Sequence, residues 1–236
     1  RGLGDVYKRQ EIVIEGYIDP ELLEPEGPFG ESHGHVALEE FNMPFKVTAI
    51  TRKKNPVIPS YISQVAPSES SVIKRVAYEP LFLNHLQNVL GIRGVKKVAL
   101  HEPLTGLLRI TLIIVEKAIS RTEIWRALYG AASFKGDMGI ITIAVYDDID
   151  PDSADSLLWA LAYRHNPAED IQVLSHRSQG HGPKRESIGE EDSTLLIDAT
   201  MKSNMPPLAL PERIHTVSYT HLRAHETLRY LVCRLL

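Results

Sequence analysis

The chain has 236 residues, of which 43% are hydrophobic and 24% charged, a balance typical of a globular protein with a buried core. Its formal net charge of -4 provides no broad basic surface, so the composition disfavours nucleic-acid binding and membrane recruitment. No apolar run reaches bilayer length, and we expect no secretion signal. The single cysteine, Cys233, excludes a disulfide framework within the chain and a thiolate metal site, so the expected compartment is a reducing cytoplasm.

The first half of the chain is expected to begin with β structure and to change to helix. Residues 11–19 are rich in β-branched side chains and predict a strand, and residues 44–62 predict two further β-rich stretches. From Pro67 the apolar spacing becomes helical and stops at Gly91. Proline lacks a backbone N–H, so Pro80 is expected to kink or divide this helix.

Strands and helices alternate in the second half, which predicts an α/β layer domain. The expected strands lie around residues 95–100, 108–115 and 140–146, and the expected helices around 122–132 and 155–163. Ser153 or Asp152 is expected to cap the last of these helices. Residues 176–193, rich in serine, glycine and charged side chains, predict a mobile loop.

The residues with the clearest chemical meaning are 25–31, Pro-Glu-Gly-Pro-Phe-Gly-Glu. The two glycines let the backbone fold back and Pro28 fixes its own φ, so the loop is expected to hold Glu26 and Glu31 in a defined geometry. Two neighbouring carboxylates raise each other's cost of ionisation, which makes one of them a candidate proton donor near neutral pH. The alternative is a solvated acidic turn between two strands.

This acidic heptad and its surroundings resemble the UbiD family of decarboxylases, whose members use prenylated FMN. The resemblance extends over residues 11–213. It is carried by the heptad and by the segments 11–20, 32–35, 45–51, 147–151, 159–164 and 195–200. It implies two units: residues 11–66 as the C-terminal part of a split β-barrel flavin-binding domain, and residues 67–214 as a C-terminal α/β domain.

Both ends of the chain stand outside this resemblance. Residues 1–10 and 215–236 look like translated sequencing-adapter segments and are expected to be non-native. The alternative is a native terminal strand and a native basic helix. The chain is therefore expected to be the C-terminal portion of a longer enzyme and to be inactive by itself.

The resemblance also implies a reaction, the removal of CO2 from an aromatic or α,β-unsaturated carboxylic acid. Glu31 would return a proton to the carbon that loses CO2, and Glu26 would pair with an arginine that this chain lacks. Ser32 and Ser70 would line the substrate pocket by alignment, although a helix cap is the other role for Ser70. The family also implies homo-oligomers, a divalent metal and potassium, with the ligands of both ions absent from this chain.

Some residues leave the function open. Thr194 stands where many family members carry a lysine that meets the flavin phosphate, which puts that contact in doubt. One rival is therefore a non-catalytic assembly or binding subunit of a carboxylase complex, and another is an unrelated α/β hydrolase or lyase. His33 and His35 are interpreted as loop residues, because no third metal ligand lies nearby.

Overall fold

A computed structural model describes residues 10–36, 40–61, 65–101, 109–136, 139–178 and 191–203. The strands are β1 (Ile12–Ile18), β2 (Glu24–Glu26), β3 (Glu40–Asn42), β4 (Phe45–Arg52), β5 (Val95–His101), β6 (Ile110–Val115), β7 (Ile141–Tyr146), β8 (Ile171–Ser178) and β9 (Glu191–Asp198). The helices are α1 (Glu69–Asn84), α2 (Arg121–Phe134) and α3 (Ala154–Tyr163), and a π-helical turn (His85–Val89) extends α1.

The first part of the chain is mostly sheet. β1 pairs with β4 and β2 pairs with β3, both antiparallel. The register of β1 and β4 places six large apolar side chains on one face, each between 37% and 61% exposed: Ile12, Ile14, Ile18, Phe45, Val47 and Ile50. Gly16 lies on the same face, where the ring of Phe45 and the carbonyl of Lys46 occupy the space that a Cβ would need.

The second part is a five-stranded sheet in the order β5-β6-β7-β9-β8, in which β6, β7 and β9 are parallel and both edge strands are antiparallel to their neighbours. Successive side chains of a strand point to opposite faces, so a largely apolar strand such as β6 buries both of its faces. One face packs on α1 and α2 through Ile113, Ala144 and Leu196, and the other packs near α3 through Leu112, Ile143 and Ile197. The predicted α/β layer with a mostly-sheet first part is confirmed.

Serine side chains cap all three described helices. At the start of α2, Ser120 Oγ accepts a hydrogen bond from Glu123 N. At the start of α3, Ser153 Oγ accepts one from Ser156 N, as was predicted for this residue. At the start of α1 the cap is Ser68, with Ser71 bonding back to it, so the alternative cap role for Ser70 is wrong.

Two predictions about secondary structure were wrong in part. Pro80 does not divide α1, which runs through it from Glu69 to Asn84, whereas a kink at Pro80 stays a prediction. The carbonyl that loses its partner belongs to Val76, a residue 69% exposed to water. The predicted loop at 176–193 is strand at both ends, since Arg177 pairs with Asp192 and Ser178 with Glu191; residues 179–190 lie outside the described ranges. No helix in the described part of the chain is both long and apolar enough to cross a membrane.

Candidate functional site

The acidic heptad runs from β2 into a tight turn. Glu26 is the last residue of β2 and lies opposite Glu40 of β3 in the register. Its side chain is exposed, and Asn42 Nδ2 donates a hydrogen bond to its Oε2. Gly27, which follows, has φ +100, a conformation that residues with a Cβ rarely adopt. Glycine at this position allows the backbone to leave β2 in this conformation.

Glu31 lies at the start of the turn that the heptad leads into. Glu31 N donates to the carbonyl of His35 at 3.0 Å, and Gly34 N donates to the carbonyl of Glu31 at 3.0 Å. Gly34 has φ +83, which again requires glycine. The turn is therefore closed at both ends by backbone hydrogen bonds, and Glu31 is half-buried where Glu26 is exposed.

One backbone hydrogen bond joins this turn to the start of α1. The carbonyl of Ser32 accepts a hydrogen bond from Ala66 N at 3.4 Å, and Ala66 is only 1% exposed. Two residues later Ser68 caps α1, and its Oγ lies 3.1 Å from Ser70 Oγ. The structure thus ties the segment of Glu31 and Ser32 to the segment of Ser70, while Glu26 lies at the β2 end of the heptad.

Asn42 is the residue at this site that sequence reasoning missed. It lies opposite Glu24 in the β2–β3 register, and only the pairing of these two strands brings its side chain to Glu26. The two histidines of the turn contact each other, with ring centroids 5.6 Å apart, and His33 Nδ1 accepts a hydrogen bond from His35 N at 3.2 Å.

The positively charged side chain of Arg177 lies beside Thr194 on the five-stranded sheet. Arg177 Nε donates to Thr194 Oγ1 at 3.2 Å, and Thr194 is 1% exposed. Arg177 Nη2 also donates to the carbonyl of Ala132 and, at 2.9 Å, to that of Lys135. Arg177 therefore binds the C-terminal end of α2 as well as the threonine.

A separate cleft of about 760 Å³ opens at the carboxyl ends of β7 and β9, where α/β sheets commonly bind ligands. The charged side chains of the cleft form ion pairs with one another. Lys202 Nζ lies 3.4 Å from Asp170 Oδ1 and 3.1 Å from Asp198 Oδ2. Arg121 Nη2 lies 3.0 Å from the same Asp170 Oδ1. The acidic turn does not line this cleft. The balanced charges favour no particular class of ligand.

Two family models match the chain. One, described as the 3-octaprenyl-4-hydroxybenzoate carboxy-lyase Rift-related domain, matches residues 4–65, and the other, described as the C-terminal domain of the same carboxy-lyase, matches residues 72–199. The first match begins inside the segment 1–10, whose non-native origin stays a prediction.

Solved structures with this fold include UbiD-class enzymes. The structure of HmfF from Pelotomaculum thermopropionicum in complex with FMN is 25% identical, with a TM-score of 0.69, and the alignment covers 86% of this chain and 45% of that one. An evolved dimeric form of HmfF in complex with prFMN is also 25% identical, with a TM-score of 0.65, over 86% of this chain and 42% of that one. The apo 3,4-dihydroxybenzoic acid decarboxylase AroY from Klebsiella pneumoniae is 21% identical, with a TM-score of 0.67, over 89% of this chain and 47% of that one, and shows the fold alone.

A curated relative, an uncharacterized protein of Archaeoglobus fulgidus, is 25% identical over 195 residues. The alignment covers 81% of this chain and 39% of that protein. The chain thus spans less than half the length of each of these four proteins.

Proposed function

This chain belongs to the UbiD family of carboxy-lyases, and from that premise we propose that it is the proton-delivering part of a decarboxylase that uses prenylated FMN. The substrate class is an aromatic or α,β-unsaturated carboxylic acid. HmfF structures with FMN and prFMN, both 25% identical to this chain, support the flavin. The observation that carries the proposal is the closed turn that holds Glu31 half-buried beside the start of α1.

Glu31 and Glu26 have different surroundings, which supports different roles. A general acid must stay close to one position while it transfers a proton, and the two backbone hydrogen bonds of the turn provide that rigidity for Glu31. We assign Glu31 as the donor to the carbon that loses CO2. Glu26 is exposed and oriented by Asn42, so it can receive a cation from outside this chain, and an arginine is the partner that we assign to it.

Ser32 and Ser70 are the residues that we assign to the substrate. Their segments are joined through the hydrogen bond from Ala66 N to the Ser32 carbonyl. A serine hydroxyl can donate a hydrogen bond to a carboxylate, so the two residues suit the orientation of an acid next to Glu31.

The cofactor fits the described residues at one place. A flavin mononucleotide carries a phosphate, and Arg177 presents a half-buried guanidinium whose hydrogen-bond partners within the described ranges are all neutral oxygens. When bound, prenylated FMN supplies an electron sink for the carbon that loses CO2. No cluster of three His, Cys, Asp or Glu side chains that could hold a metal occurs in the described ranges, so we assign no step to the metal or to potassium.

The relatives are about twice as long as this chain. We propose that this chain by itself does not catalyse the decarboxylation. Within the complete enzyme we expect a homo-oligomer in the cytoplasm. The isolated chain should therefore release no CO2 from aromatic or α,β-unsaturated acids, as measured by trapping labelled CO2. Turnover by the isolated chain would contradict this proposal.

The role of Glu31 is tested in the enzyme that contains this chain. Glu31→Gln should keep flavin absorbance and lower CO2 release by at least about 100-fold, the usual contribution of a general acid. Glu21→Gln changes an exposed glutamate in the same part of the chain and should leave the rate unchanged. Undiminished CO2 release by the Glu31 variant would overturn the assignment. An unaltered enzyme that binds flavin and turns over no acid would instead support the assembly-subunit alternative.

A further inference from the structure

The turn that holds Glu31 is the tip of a small antiparallel hairpin. Gly30 and Val36 form a β-bridge, and one residue further in, Glu31 N donates to the carbonyl of His35 at 3.0 Å. Gly34 N donates to the carbonyl of Glu31, and Gly34 has φ +83. These are the features of a three-residue hairpin loop that ends in a glycine bulge. In such a bulge, Gly34 and His35 together lie opposite Glu31.

The register of this hairpin brings an imidazole to the side of the acid. Side chains of opposed residues point to the same face of an antiparallel pair, with their Cβ atoms about 5 Å apart. The bridge and the hydrogen bonds of the hairpin thus place the His35 ring on the same face as the Glu31 carboxyl group. Glu31 is half-buried whereas His35 is exposed, so the ring is next to both the acid and the solvent.

The second histidine of the turn holds the backbone of the first. His33 Nδ1 accepts a hydrogen bond from His35 N at 3.2 Å, and the two ring centroids lie 5.6 Å apart. A ring nitrogen that accepts a hydrogen bond carries no proton, so the neutral His33 ring holds its proton on Nε2. His35 is thus bonded through both its N–H and its carbonyl. Its backbone is fixed next to Glu31 while its ring is open to water.

A general acid has to be recharged after every turnover. In the proposed reaction, Glu31 gives its proton to the carbon that loses CO2 and is left as a carboxylate. Half-burial restricts the approach of buffer acids to this carboxylate, whereas an exposed ring beside it can be reached from solution. Histidine gains and loses a proton near neutral pH more readily than other side chains do, which suits it to carry protons between solvent and a catalytic group.

We propose that His35 returns a proton to Glu31 after each turnover, an inference that rests on the proposed role of Glu31 as the donor. A ring nitrogen of the His35 imidazolium gives its proton to the Glu31 carboxylate, which leaves a neutral imidazole and a neutral carboxylic acid. The attraction between the two opposite charges favours their approach before the transfer. The imidazole then takes a proton from hydronium or from a buffer acid. One solvent proton thus replaces the proton that ends on the product.

The test compares the first turnover with the steady state in the enzyme that contains this chain, in dilute buffer. Glu31 is already protonated before the first turnover, so His35→Asn should leave the rate of that turnover, measured by rapid quench of the product, unchanged. Every later turnover needs a new proton, so kcat of the variant should fall by about tenfold or more. Added imidazole should restore kcat, because it can carry protons to Glu31 in place of the missing ring.

His176→Asn is the matched control, because it makes the same substitution at an exposed histidine of β8. His176 has φ +61, a conformation that asparagine adopts readily, so both rates should stay unchanged. An unchanged kcat in the His35 variant, or the absence of rescue by imidazole, would overturn the proposal. Equal losses in the first turnover and in kcat would also overturn it, since they would mean that His35 supports the structure or the chemical step.

Glu31→Gln separates the failure of this proposal from that of the proposed function. This variant should lose the first turnover as well, and imidazole should not restore it, because the donor itself is missing. Loss of activity in the Glu31 variant, together with full activity in the His35 variant, would overturn the role of His35 alone. An undiminished first turnover in the Glu31 variant would overturn the proposed donor and the role of His35 with it.

Discussion

Arg164 binds Asp148 through both terminal nitrogens of its guanidinium, with Nη1 2.9 Å from Oδ1 and Nη2 2.7 Å from Oδ2. Arg164 is 2% exposed, and its guanidinium carbon lies 4.9 Å from the centre of the Trp159 ring. Burial by itself would raise the pKa of Asp148, but the hydrogen bonds and the charge of Arg164 outweigh it and hold that pKa below its ordinary value of 3.8. This pair joins the loop after β7 to the end of α3.

Asp148→Asn should destabilise the protein by about 3 kcal/mol, because it leaves the buried Arg164 without a countercharge. The contribution is present above the ordinary pKa of 3.8 and is lost as the pH falls through the lowered folded value. The difference in unfolding free energy between the two proteins should therefore be constant near neutral pH and shrink in acid.

Urea unfolding at several pH values measures this difference. Asp147→Asn is the control. Asp147 pairs with Lys96 at the surface, so its replacement should lower the free energy of unfolding much less. Equal effects of the two substitutions would show that the buried pair does not stabilise the fold.

Ser68→Ala should destabilise α1 by about 1 kcal/mol, because it removes the acceptor for the N–H of Ser71 at the start of the helix. Ser70→Ala is the matched control, and its effect should be clearly smaller because Ser70 does not cap the helix. Urea midpoints of the two variants check the assignment. A larger loss for the Ser70 variant would show that the cap has been misplaced.

Gly16→Ala should weaken the β1–β4 pair by about 2 kcal/mol, since a Cβ there would meet the backbone carbonyl of Lys46 and the ring of Phe45. Gly30→Ala adds the same atom where no other atom lies within 4 Å and should be tolerated. Amide hydrogen exchange of β1 and β4 reports the difference. Unchanged protection in the Gly16 variant would contradict the close approach.

Asn42 should act on catalysis through Glu26, because its Nδ2 donates to the Glu26 carboxylate across β2 and β3. In the enzyme that contains this chain, Asn42→Leu should lower kcat by about tenfold when Glu26 is present and have little further effect when combined with Glu26→Gln. A double-mutant cycle of kcat and KM measures the coupling. Additive losses would mean that Asn42 affects the reaction independently of Glu26.

The sequence by itself determined the order of the larger elements of this protein and several of their ends. β6 could be predicted because five of its six residues are apolar, which indicates a strand buried on both faces. The stop after α1 could be predicted because Gly91, at φ +72, accepts a conformation that other residues avoid. Ser153 was recognisable as a cap because its hydroxyl oxygen can accept a hydrogen bond from a backbone N–H in the first turn of the helix. These signals are local, so neighbouring residues are enough to show them.

Tertiary structure alone decided which distant side chains meet. Asn42 reaches Glu26 from 16 residues away and Arg177 reaches Thr194 from 17, and both contacts depend on strand register, which no local pattern specifies. β8 escaped prediction because most of its side chains are exposed and its polar residues resemble those of a loop. The acidic heptad could thus be found from sequence, but its link to α1 through Ser32 and Ala66 required the folded chain.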